Sequence, residues 1–447
     1  MLFVSLVSVL CIILAVYLRI KNTKNFDIGY SDLFYTLVFF MFFYLIIAQH
    51  GVISWDYTNQ DNHFYSNILV MLSCLGVLSI TYFTNIKVSN EKYNINVSEV
   101  ELKIIIISSI LCILFGYLSL VYNYGRLGNI QDILSFSQRS ERMAILSSLR
   151  GNIPYMHFFV IGYTTLLLTG LWSESLKNKH SFIKVYIYSL LWILPFLLFL
   201  IYEGDRSGIL KFIILSFFIA IQFNKFKPKI IHLLYLFIIY SLFAVIGNVR
   251  GELQKTFKTG NISHLVEAYN NKDISTLLST VEFKSVNFTL HRVVDINNLI
   301  DYPGESYIQS IKYILPRSIH PGKKEKNIAD KLAHNIRTEK GIGYKIGFGI
   351  SPVAESYVNF GISGPPLIFM IYVLFINKIT LLSLNSNIYY RVYGILFITT
   401  IPMIFRNSFA SQVSNIFWLT LLASILFVFI KIVNKLYNKK EKFKVGR

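Results

Sequence analysis

The fold is decided by stretches such as Ile104–Tyr122, which reads IIIISSILCILFGYLSLVY and carries no charge. A helix needs about 20 apolar residues to cross the roughly 30 Å of hydrocarbon in a bilayer, so a run of this length predicts a membrane-spanning helix. The composition agrees, because 54% of the 447 residues are hydrophobic and only 15% are charged, against about 25% charged residues in soluble proteins. These values exclude a cytosolic enzyme, a disordered chain and a disulfide-rich scaffold. They predict an all-α polytopic membrane protein.

Hydropathy predicts about eleven such spans. They are Met1–Leu18, Leu33–Ala48, Phe64–Phe83, Ile104–Tyr122, Ile153–Trp172, Val185–Tyr202, Ile209–Phe223, Ile231–Val249, Gly364–Leu382, Val392–Phe405 and Val413–Ile430. The first run lacks the basic start and the small-residue cleavage site of a signal peptide, so we expect it to be a retained helix.

The net charge of +19 is distributed in an alternating pattern along the chain. Basic residues, mostly lysines, lie in every second connection between spans and in the tail, whereas Gln49–His63 has neither lysine nor arginine. Because cytoplasmic loops collect Lys and Arg, this pattern predicts an external N-terminus and a cytoplasmic C-terminus. It favours attraction to anionic lipid over binding of nucleic acid. Arg19 falls in the cytoplasmic set, and we expect Arg19→Lys to be silent.

A long polar segment separates the eighth span from the ninth. The charge pattern places this segment outside the membrane, and about 110 residues are too many for a structureless loop. Stretches such as Tyr307–Leu315 mix apolar and charged residues and should rest partly on the membrane surface. We therefore divide the chain into N-terminal membrane helices (1–249), a large external loop (250–363), C-terminal membrane helices (364–430) and a basic tail (431–447).

The cysteines and histidines show no pattern of a disulfide or metal site. Cys11, Cys74 and Cys112 all lie inside apolar runs, and the nine histidines are scattered without the spacing of metal ligands. We therefore expect no disulfide framework, no metal and no cofactor.

The short external connections are unusual because their basic residues are arginines. Arg206 lies in a connection only a few residues long, Arg250 follows the eighth span and Arg406 follows the tenth. A guanidinium stays charged and grips phosphate with two parallel hydrogen bonds, so these arginines suit a lipid-linked diphosphate. The alternative is contact with ordinary lipid head groups.

The long loop also contains a proline-bounded turn, Leu315–Lys324, with three basic or titratable side chains. These are Arg317, His320 and Lys323. The turn exposes a guanidinium, an imidazole and an amine within a few residues of one another.

A second polar element precedes the ninth span. Glu355, Tyr357 and Asn359 lie here, with Glu355 and Asn359 spaced i, i+4 on one helical face. A carboxylate at this depth is costly unless it is functional or paired. Glu355 is therefore either a general base or the structural partner of an arginine such as Arg317.

In this order, the features resemble the Wzy-type O-antigen polymerase family, the membrane oligosaccharide repeat-unit polymerases. Members have a short external loop with an arginine that leads into a span, similar to Gly204–Gly208 here. They have a Pro-Arg…Pro-x-Lys element, similar to Pro316–Lys323, and a Ser-Pro…Glu-x-Tyr-x-Asn-Phe-Gly…Gly signature, matched by Ser351–Gly364. A further external arginine follows two spans later, and Arg406–Ser408 resembles it.

The resemblance implies a GT-C-like membrane glycosyltransferase on the periplasmic face of the bacterial inner membrane. Such an enzyme transfers the growing glycan from one undecaprenyl diphosphate to the sugar of a new undecaprenyl-diphosphate-linked repeat unit, and a chain-length regulator is its expected partner. Glu355 is the first candidate for the base and His320 the second. The residues expected to bind the diphosphate and glycan are Arg206, Arg250, Arg317, Lys323, Tyr357, Asn359 and Arg406. Arginines can stabilise the leaving diphosphate, and the external loops lack an Asp-x-Asp pair, so we expect a metal-independent reaction.

Two other functions remain open at this point. An O-antigen ligase uses the same donor with a lipid A-core acceptor, and it too would show external arginines and a large loop. A flippase or transporter of lipid-linked oligosaccharide would also be basic and polytopic, but it should place ionisable residues in the middle of spans and show paired halves. The Ser-Pro…Glu-x-Tyr signature favours the polymerase.

The orientation predicted from charge can be tested by cysteine labelling in intact cells. A membrane-impermeant reagent should label cysteines introduced at Asn59 and Lys324 and should miss those at Asn178 and Lys440. Labelling of the second pair from outside would contradict the orientation.

Overall fold

The computed structural model describes residues 2–22, 32–47, 60–84, 97–126, 154–176, 182–203, 205–223, 256, 259–263, 266, 281–296, 299–314, 328–340 and 349–445. Within these ranges every regular element is a helix. The all-α prediction is confirmed for this part of the chain.

Seven described helices form the N-terminal half. They are α1 (Leu2–Asn22), α2 (Leu33–Met41), α3 (Gln60–Phe83), α4 (Glu99–Gly125), α5 (Tyr155–Leu176), α6 (Phe182–Glu203) and α7 (Arg206–Gln222). A π-helical turn, Phe42–Ile47, continues α2. The eighth predicted span, Ile231–Val249, lies outside the described residues.

The described C-terminal half contains two long helices, α12 and α15, with short helices before and between them. They are α8 (Val281–Asp295), α9 (Glu305–Ile314), α10 (Ile328–Lys340), α11 (Pro352–Phe360), α12 (Gly364–Ser383), α13 (Ile388–Ile398), α14 (Ile401–Ile404) and α15 (Phe409–Val445). A 3-10 turn, Gly361–Ser363, joins α11 to α12. A Cβ at Gly364 would clash with the Ser356 carbonyl, so only glycine permits this turn to pack so closely.

Seven helical segments of the described chain are long and apolar enough to cross a membrane. They are Phe3–Asn22, Asp61–Phe83, Glu99–Gly125, Tyr155–Glu174, Phe182–Glu203, Pro352–Ser383 and Phe409–Asn438. Shorter apolar helices at Leu33–Ile46, Ser207–Gln222 and Ile388–Ile398 coincide with other predicted spans. The structure therefore agrees with a polytopic membrane protein, while the number eleven stays a prediction.

The chain forms two compact units. The first contains residues Met1–Asn94, Val281–Asn385 and Phe397–Phe417, and the second contains Ile95–Thr280, Ser386–Leu396 and Trp418–Arg447. All residues of the site described below belong to the first unit unless stated otherwise.

In the second unit, α4 packs closely along α5. A Cβ at Gly162 would lie 2.6 Å from the side chain of Ile113, so the glycine lets the two helices approach. The Ser109 hydroxyl donates a hydrogen bond to the Thr165 hydroxyl at 2.7 Å across the same contact. Small residues and short interhelical hydrogen bonds are how helices associate where the hydrophobic effect is weak, as in a bilayer.

In the first unit, α3 contacts both α1 and α12. A Cβ at Gly76 would lie 2.5 Å from the carbonyl oxygen of Pro366, so α12 crosses α3 almost backbone to backbone. Cys11 and Cys74 lie in this unit, and both are buried free thiols, as their position in apolar runs predicts. This packing holds α12, and helix α11 that precedes it, against α3.

The burial of Arg19 in the first unit corrects the sequence-based view of this residue. Arg19 is 1% exposed and grips Asp32 with two hydrogen bonds, from Nε at 2.5 Å and from Nη2 at 3.0 Å. Asp32 also caps α2 through the Phe34 N–H and accepts a hydrogen bond from Thr380 on α12. Arg19 is therefore an interior ion-pair residue, and the expectation that Arg19→Lys is silent no longer holds, because lysine lacks the planar fork.

The Arg19–Asp32 pair should contribute to stability in a measurable way. Asp32→Asn removes the carboxylate charge from the buried pair, and breaking a buried pair from one side costs about 3–5 kcal/mol. The matched control is Glu99→Gln, since Glu99 pairs with Lys103 at 3.2 Å on the exposed surface of α4, where such pairs contribute about 0–1 kcal/mol. Unfolding of the purified protein in detergent measures both, and equal losses would contradict the interpretation.

Candidate functional site

Helix α11 presents Glu355 and Asn359 on one buried face. Ser351 caps the helix by accepting a hydrogen bond from the Ala354 N–H at 3.1 Å, and Pro352 starts the first turn with its fixed φ. Glu355 and Asn359 follow one turn apart, and each is 2% exposed. The prediction that they share a helical face is confirmed.

The carboxylate of Glu355 connects three separate segments. Its Oε1 accepts a hydrogen bond from the Ser306 hydroxyl on α9 at 2.9 Å, and its Oε2 accepts one from the backbone N–H of Phe409, the first residue of α15, at 2.7 Å. Among the described residues, these carboxylate partners are neutral donors. The sequence-based alternative of an arginine partner is not what the described chain shows, although Arg317 lies outside it.

Asn359 fixes Ser306 beside Glu355. The Asn359 Nδ2 donates to the Ser306 hydroxyl at 2.8 Å and to the Glu355 backbone carbonyl at 2.7 Å, while its Oδ1 accepts from the Ser306 N–H at 3.2 Å. Because an amide nitrogen can only donate, the Ser306 oxygen acts as the acceptor from Asn359. The Ser306 hydroxyl proton must then point at Glu355. Ser306 and Asn359 thus orient the carboxylate.

Aromatic side chains surround this network. The Tyr307 ring stacks on Phe360 at 5.7 Å and meets Phe409 edge-on at 4.9 Å, and Tyr357 meets Tyr65 edge-on at 6.0 Å. Burial, together with the nearby Glu355 carboxylate, raises the pKa of Tyr307, so its phenol stays protonated. Tyr357 is half-buried at the border of the site.

Arg406 is near the network along the chain. It lies in the turn between α14 and α15, three residues before the Phe409 N–H that Glu355 binds, and it is half-buried. The Gln412 side chain holds this turn by donating to the backbone carbonyls of Ile404 and Asn407, at 3.2 and 2.8 Å. The structure therefore brings the Arg406 turn and Glu355, two sequence-predicted positions, into one region.

The other predicted site residues are not joined to this network by the described chain. Arg206 begins α7 in the second unit, where Asp205 caps the helix by accepting from the Gly208 N–H at 3.3 Å and from the Ser207 hydroxyl at 2.7 Å. The Arg206 side chain is not among the described atoms. Arg250, Arg317, His320 and Lys323 lie outside the described residues.

Sequence reasoning missed a second buried carboxylate, Glu305. It pairs with Lys331 of α10 at 3.1 Å and accepts hydrogen bonds from Gln309 at 2.6 Å and from the Asp301 N–H at 2.5 Å. Burial opposes ionisation of Glu305, but these donors outweigh it and hold its pKa below the usual value. The one signal in the sequence is that Glu305-Ser306-Tyr307 repeats the order of Glu355-Ser356-Tyr357.

A pair of buried histidines lies on α3 and α8, close to the start of α11. Sequence reasoning also missed this pair. His63 of α3 and His291 of α8 are both buried, with Nδ1 of the first 3.3 Å from Nε2 of the second. Burial and the neighbouring His63 lower the pKa of His291 to about 4, so His291 is neutral near pH 7. On the same helix the Thr289 hydroxyl donates to the Gly349 carbonyl at 2.8 Å, just before α11. Helix α8 thereby links α3 to the start of α11.

The fold and site together define a class: a polytopic helical membrane protein with a buried carboxylate held between the short helix α9 and the start of the last long helix. The sequence profile of the O-antigen polysaccharide polymerase Wzy family matches residues 1–441, and the chain belongs to this family. Wzy polymerases act on lipid-linked oligosaccharide repeat units in the membrane. No curated protein and no solved structure matches the chain.

The Ser306 hydroxyl should be a main support of the network. Ser306→Ala removes the donor to Glu355 and the acceptor for Asn359, and leaving buried polar groups unmatched costs about 1–3 kcal/mol. Ser310→Ala is the matched control, because the one hydrogen bond of the buried Ser310 hydroxyl among the described residues is to the Ser306 carbonyl within α9, and its loss should cost less than about 1 kcal/mol. Unfolding in detergent compares them, and a larger loss for Ser310→Ala would contradict the network.

Proposed function

We propose that this protein polymerises undecaprenyl-diphosphate-linked oligosaccharide repeat units into O-antigen or a related surface polysaccharide. The growing glycan leaves its lipid diphosphate and is transferred to the sugar of a new lipid-linked repeat unit. The family match supports the reaction class. The observation that carries the assignment of the site is the buried Glu355 carboxylate with two neutral donors.

Glu355 is the proposed general base. A hydroxyl of the acceptor sugar attacks the anomeric carbon of the growing glycan, the bond from that carbon to the diphosphate oxygen breaks, and the diphosphate leaves with the electron pair. The hydroxyl proton passes to Glu355. Each carboxylate oxygen has two lone-pair positions, and Ser306 and Phe409 occupy one on each oxygen, so acceptor capacity remains for the substrate hydroxyl.

Burial and neutral partners suit Glu355 to this role. A carboxylate paired with a cation, as Glu305 is with Lys331, is stabilised as an anion and is a weak base. Glu355 instead bonds to a hydroxyl and a backbone amide, and Ser306 and Asn359 act as positioning residues that fix its orientation. His320 is the second candidate for the base.

The arginines are proposed to stabilise the leaving diphosphate. Charge develops on the bridging oxygen as the glycosidic bond breaks, and guanidinium groups in a partly desolvated site lower the barrier electrostatically. Arg406 lies three residues before Phe409, whose N–H donates to Glu355. The full proposed set is Arg206, Arg250, Arg317, Lys323 and Arg406, with Tyr357 and Asn359 on the glycan side.

The proposal includes a membrane arrangement. We place the N-terminus in the periplasm and the C-terminus in the cytoplasm, with about eleven spans in a GT-C-like architecture. Residues 250–363 form the periplasmic loop between the membrane helices 1–249 and 364–430, and 431–447 form the cytoplasmic tail. The reaction is proposed to be metal-independent, and a chain-length regulator to be the protein partner.

The lipopolysaccharide of a strain without this protein separates the polymerase from its alternatives. A core capped with a single repeat unit supports a polymerase, because ligation and export still operate. Loss of all O-antigen would point instead to a ligase or a flippase of lipid-linked oligosaccharide. An unchanged ladder would contradict all three functions.

Glu355→Gln should abolish polymerisation while the protein stays folded. The amide is nearly isosteric with the carboxylate but cannot accept the proton, and a general base contributes about 10²- to 10⁴-fold to the rate. The measurement is chain extension by purified protein on a synthetic lipid-linked repeat unit, together with the unfolding temperature of the same preparation.

The control for Glu355→Gln is Glu305→Gln, which changes an equally buried glutamate one helix away. This variant should lower the unfolding temperature, because Lys331 loses its counter-charge, and the folded fraction should keep its rate. If Glu355→Gln polymerises at a near-normal rate, the base lies elsewhere, and His320→Gln then tests the second candidate.

Arg206→Lys and Arg406→Lys should each reduce the polymerisation rate sharply at normal abundance. Lysine keeps the charge and loses the bidentate grip on phosphate. Arg126→Lys is the control, because Arg126 lies over the Tyr122 ring at 5.5 Å, a contact that an ammonium group can also make. Full activity in both test variants would contradict a role in diphosphate binding and would support the alternative, in which these arginines contact ordinary lipid head groups.

A further inference from the structure

Helix α9 buries three polar side chains and exposes two isoleucines. Glu305, Ser306 and Ser310 are buried, whereas Ile308 is 49% exposed and Ile311 is 64% exposed. A helix on a water-facing surface has the opposite arrangement, with its apolar stripe against the core. The inward polar face is explained by the contacts with Glu355, Asn359 and Lys331. Ile308 and Ile311 therefore present apolar surface outward, on the side opposite the Glu355 contacts.

The exposed apolar surface continues from α9 into a membrane span. The Tyr307 ring stacks on Phe360, which is itself 44% exposed, and Ile362 is exposed in the turn that follows. This turn leads directly into α12, which forms the apolar segment Pro352–Ser383 with α11. We call Ile308, Ile311, Phe360 and Ile362 the outer face.

The side chains of α12 indicate what covers the outer face. Leu367, Ile371 and Leu374 are exposed along α12, as expected of residues that contact lipid acyl chains in a helix of this length and composition. Lys312 is exposed next to Ile311 and supplies a positive charge at the edge of the face. Apolar residues flanked by a lysine are the pattern of a helix that lies in the interface, with isoleucine in the acyl region and lysine at the phosphates.

We propose that the outer face is embedded in the bilayer interface, so that α9 is a membrane-bound helix whose inner side holds the catalytic carboxylate. The occupant is the acyl region of the surrounding lipids, continuous with the lipid around α12. Ser306 lies on the opposite side of the same helix and bonds to Glu355, so the carboxylate lies at about the depth of the lipid phosphates. A substrate whose reacting bond adjoins a lipid diphosphate would present that bond at the same depth. This last consequence rests on the proposed function, whereas the lipid contact does not.

The lipid contact can be tested without any activity assay. Single cysteines at Ile308 and Ile311 of the full chain in proteoliposomes are spin-labelled, and the control is Asn335, an exposed polar position on α10. Collision with oxygen, which concentrates in hydrocarbon, is compared with collision with a water-soluble nickel chelate. The parent protein, in which Cys11, Cys74 and Cys112 are buried, measures background labelling.

The proposal predicts an oxygen-to-nickel collision ratio several-fold higher at Ile308 and Ile311 than at Asn335. Nickel collision as frequent as at Asn335 would overturn it, because the face would then be in water. Exclusion of both reagents would also overturn it, since a protein surface such as a second copy of the chain would then cover the face.

A second measurement guards against local disturbance by the spin label. A fluorophore on the same cysteines should be quenched by lipids brominated near the head-group end of the acyl chain and not at Asn335. Equal quenching at all three positions would contradict the proposal. Neither measurement needs catalysis, so the two proposals can fail separately. If α9 contacts lipid and the protein does not polymerise repeat units, the lipid contact stands and the proposed function is rejected.

Discussion

The site depends on how a buried carboxylate is satisfied. Glu355 is almost completely removed from water, and a buried polar group without hydrogen bonds costs several kcal/mol. The Ser306 hydroxyl and the Phe409 N–H meet this requirement, and they come from α9 and from the start of α15. The carboxylate therefore holds together a segment before α11 and a segment after α12.

Two buried glutamates in this region have different environments and hence different chemistry. Glu305 is neutralised by Lys331 and bonded by further donors, so it is held as an anion with a lowered pKa. Glu355 has neutral donors among the described residues, which leaves it able to accept a proton when the substrate is bound. Titratable groups whose environments push their pKa values apart are a recurring arrangement in enzymes. In this protein Glu305 connects α9 to α10 through Lys331, whereas Glu355 connects α11 to α9 and to the start of α15.

The sequence was sufficient for the class of fold and for part of the site. Uncharged runs such as Ile104–Tyr122 fixed their helices by length alone, and the i, i+4 spacing of Glu355 and Asn359 correctly predicted a shared face. Ser306 could not be found in this way, because it meets Glu355 across 49 positions of the chain. Such contacts are set by tertiary packing and leave no local period.

The misreading of Arg19 has a related cause. Charge counting assigns a terminal arginine to a loop, but it cannot detect an aspartate 13 positions later that folds back against it. Asp32 has the same local appearance as any helix cap, and only the packing of α1, α2 and α12 shows that it also neutralises a buried guanidinium. The partner of a buried charge is therefore difficult to predict from a single sequence, because tertiary packing determines it.

The central claim is that Ser306 acts on the reaction only through Glu355. A double-mutant cycle in the single-turnover rate of chain extension tests it most directly, with Ser306→Ala, Glu355→Gln and the combined variant measured at equal folded concentration. The account predicts that Ser306→Ala slows the protein that retains Glu355 and has little further effect once Glu355 is glutamine. The same fold reduction in both backgrounds would contradict it, because Ser306 would then act independently of the carboxylate.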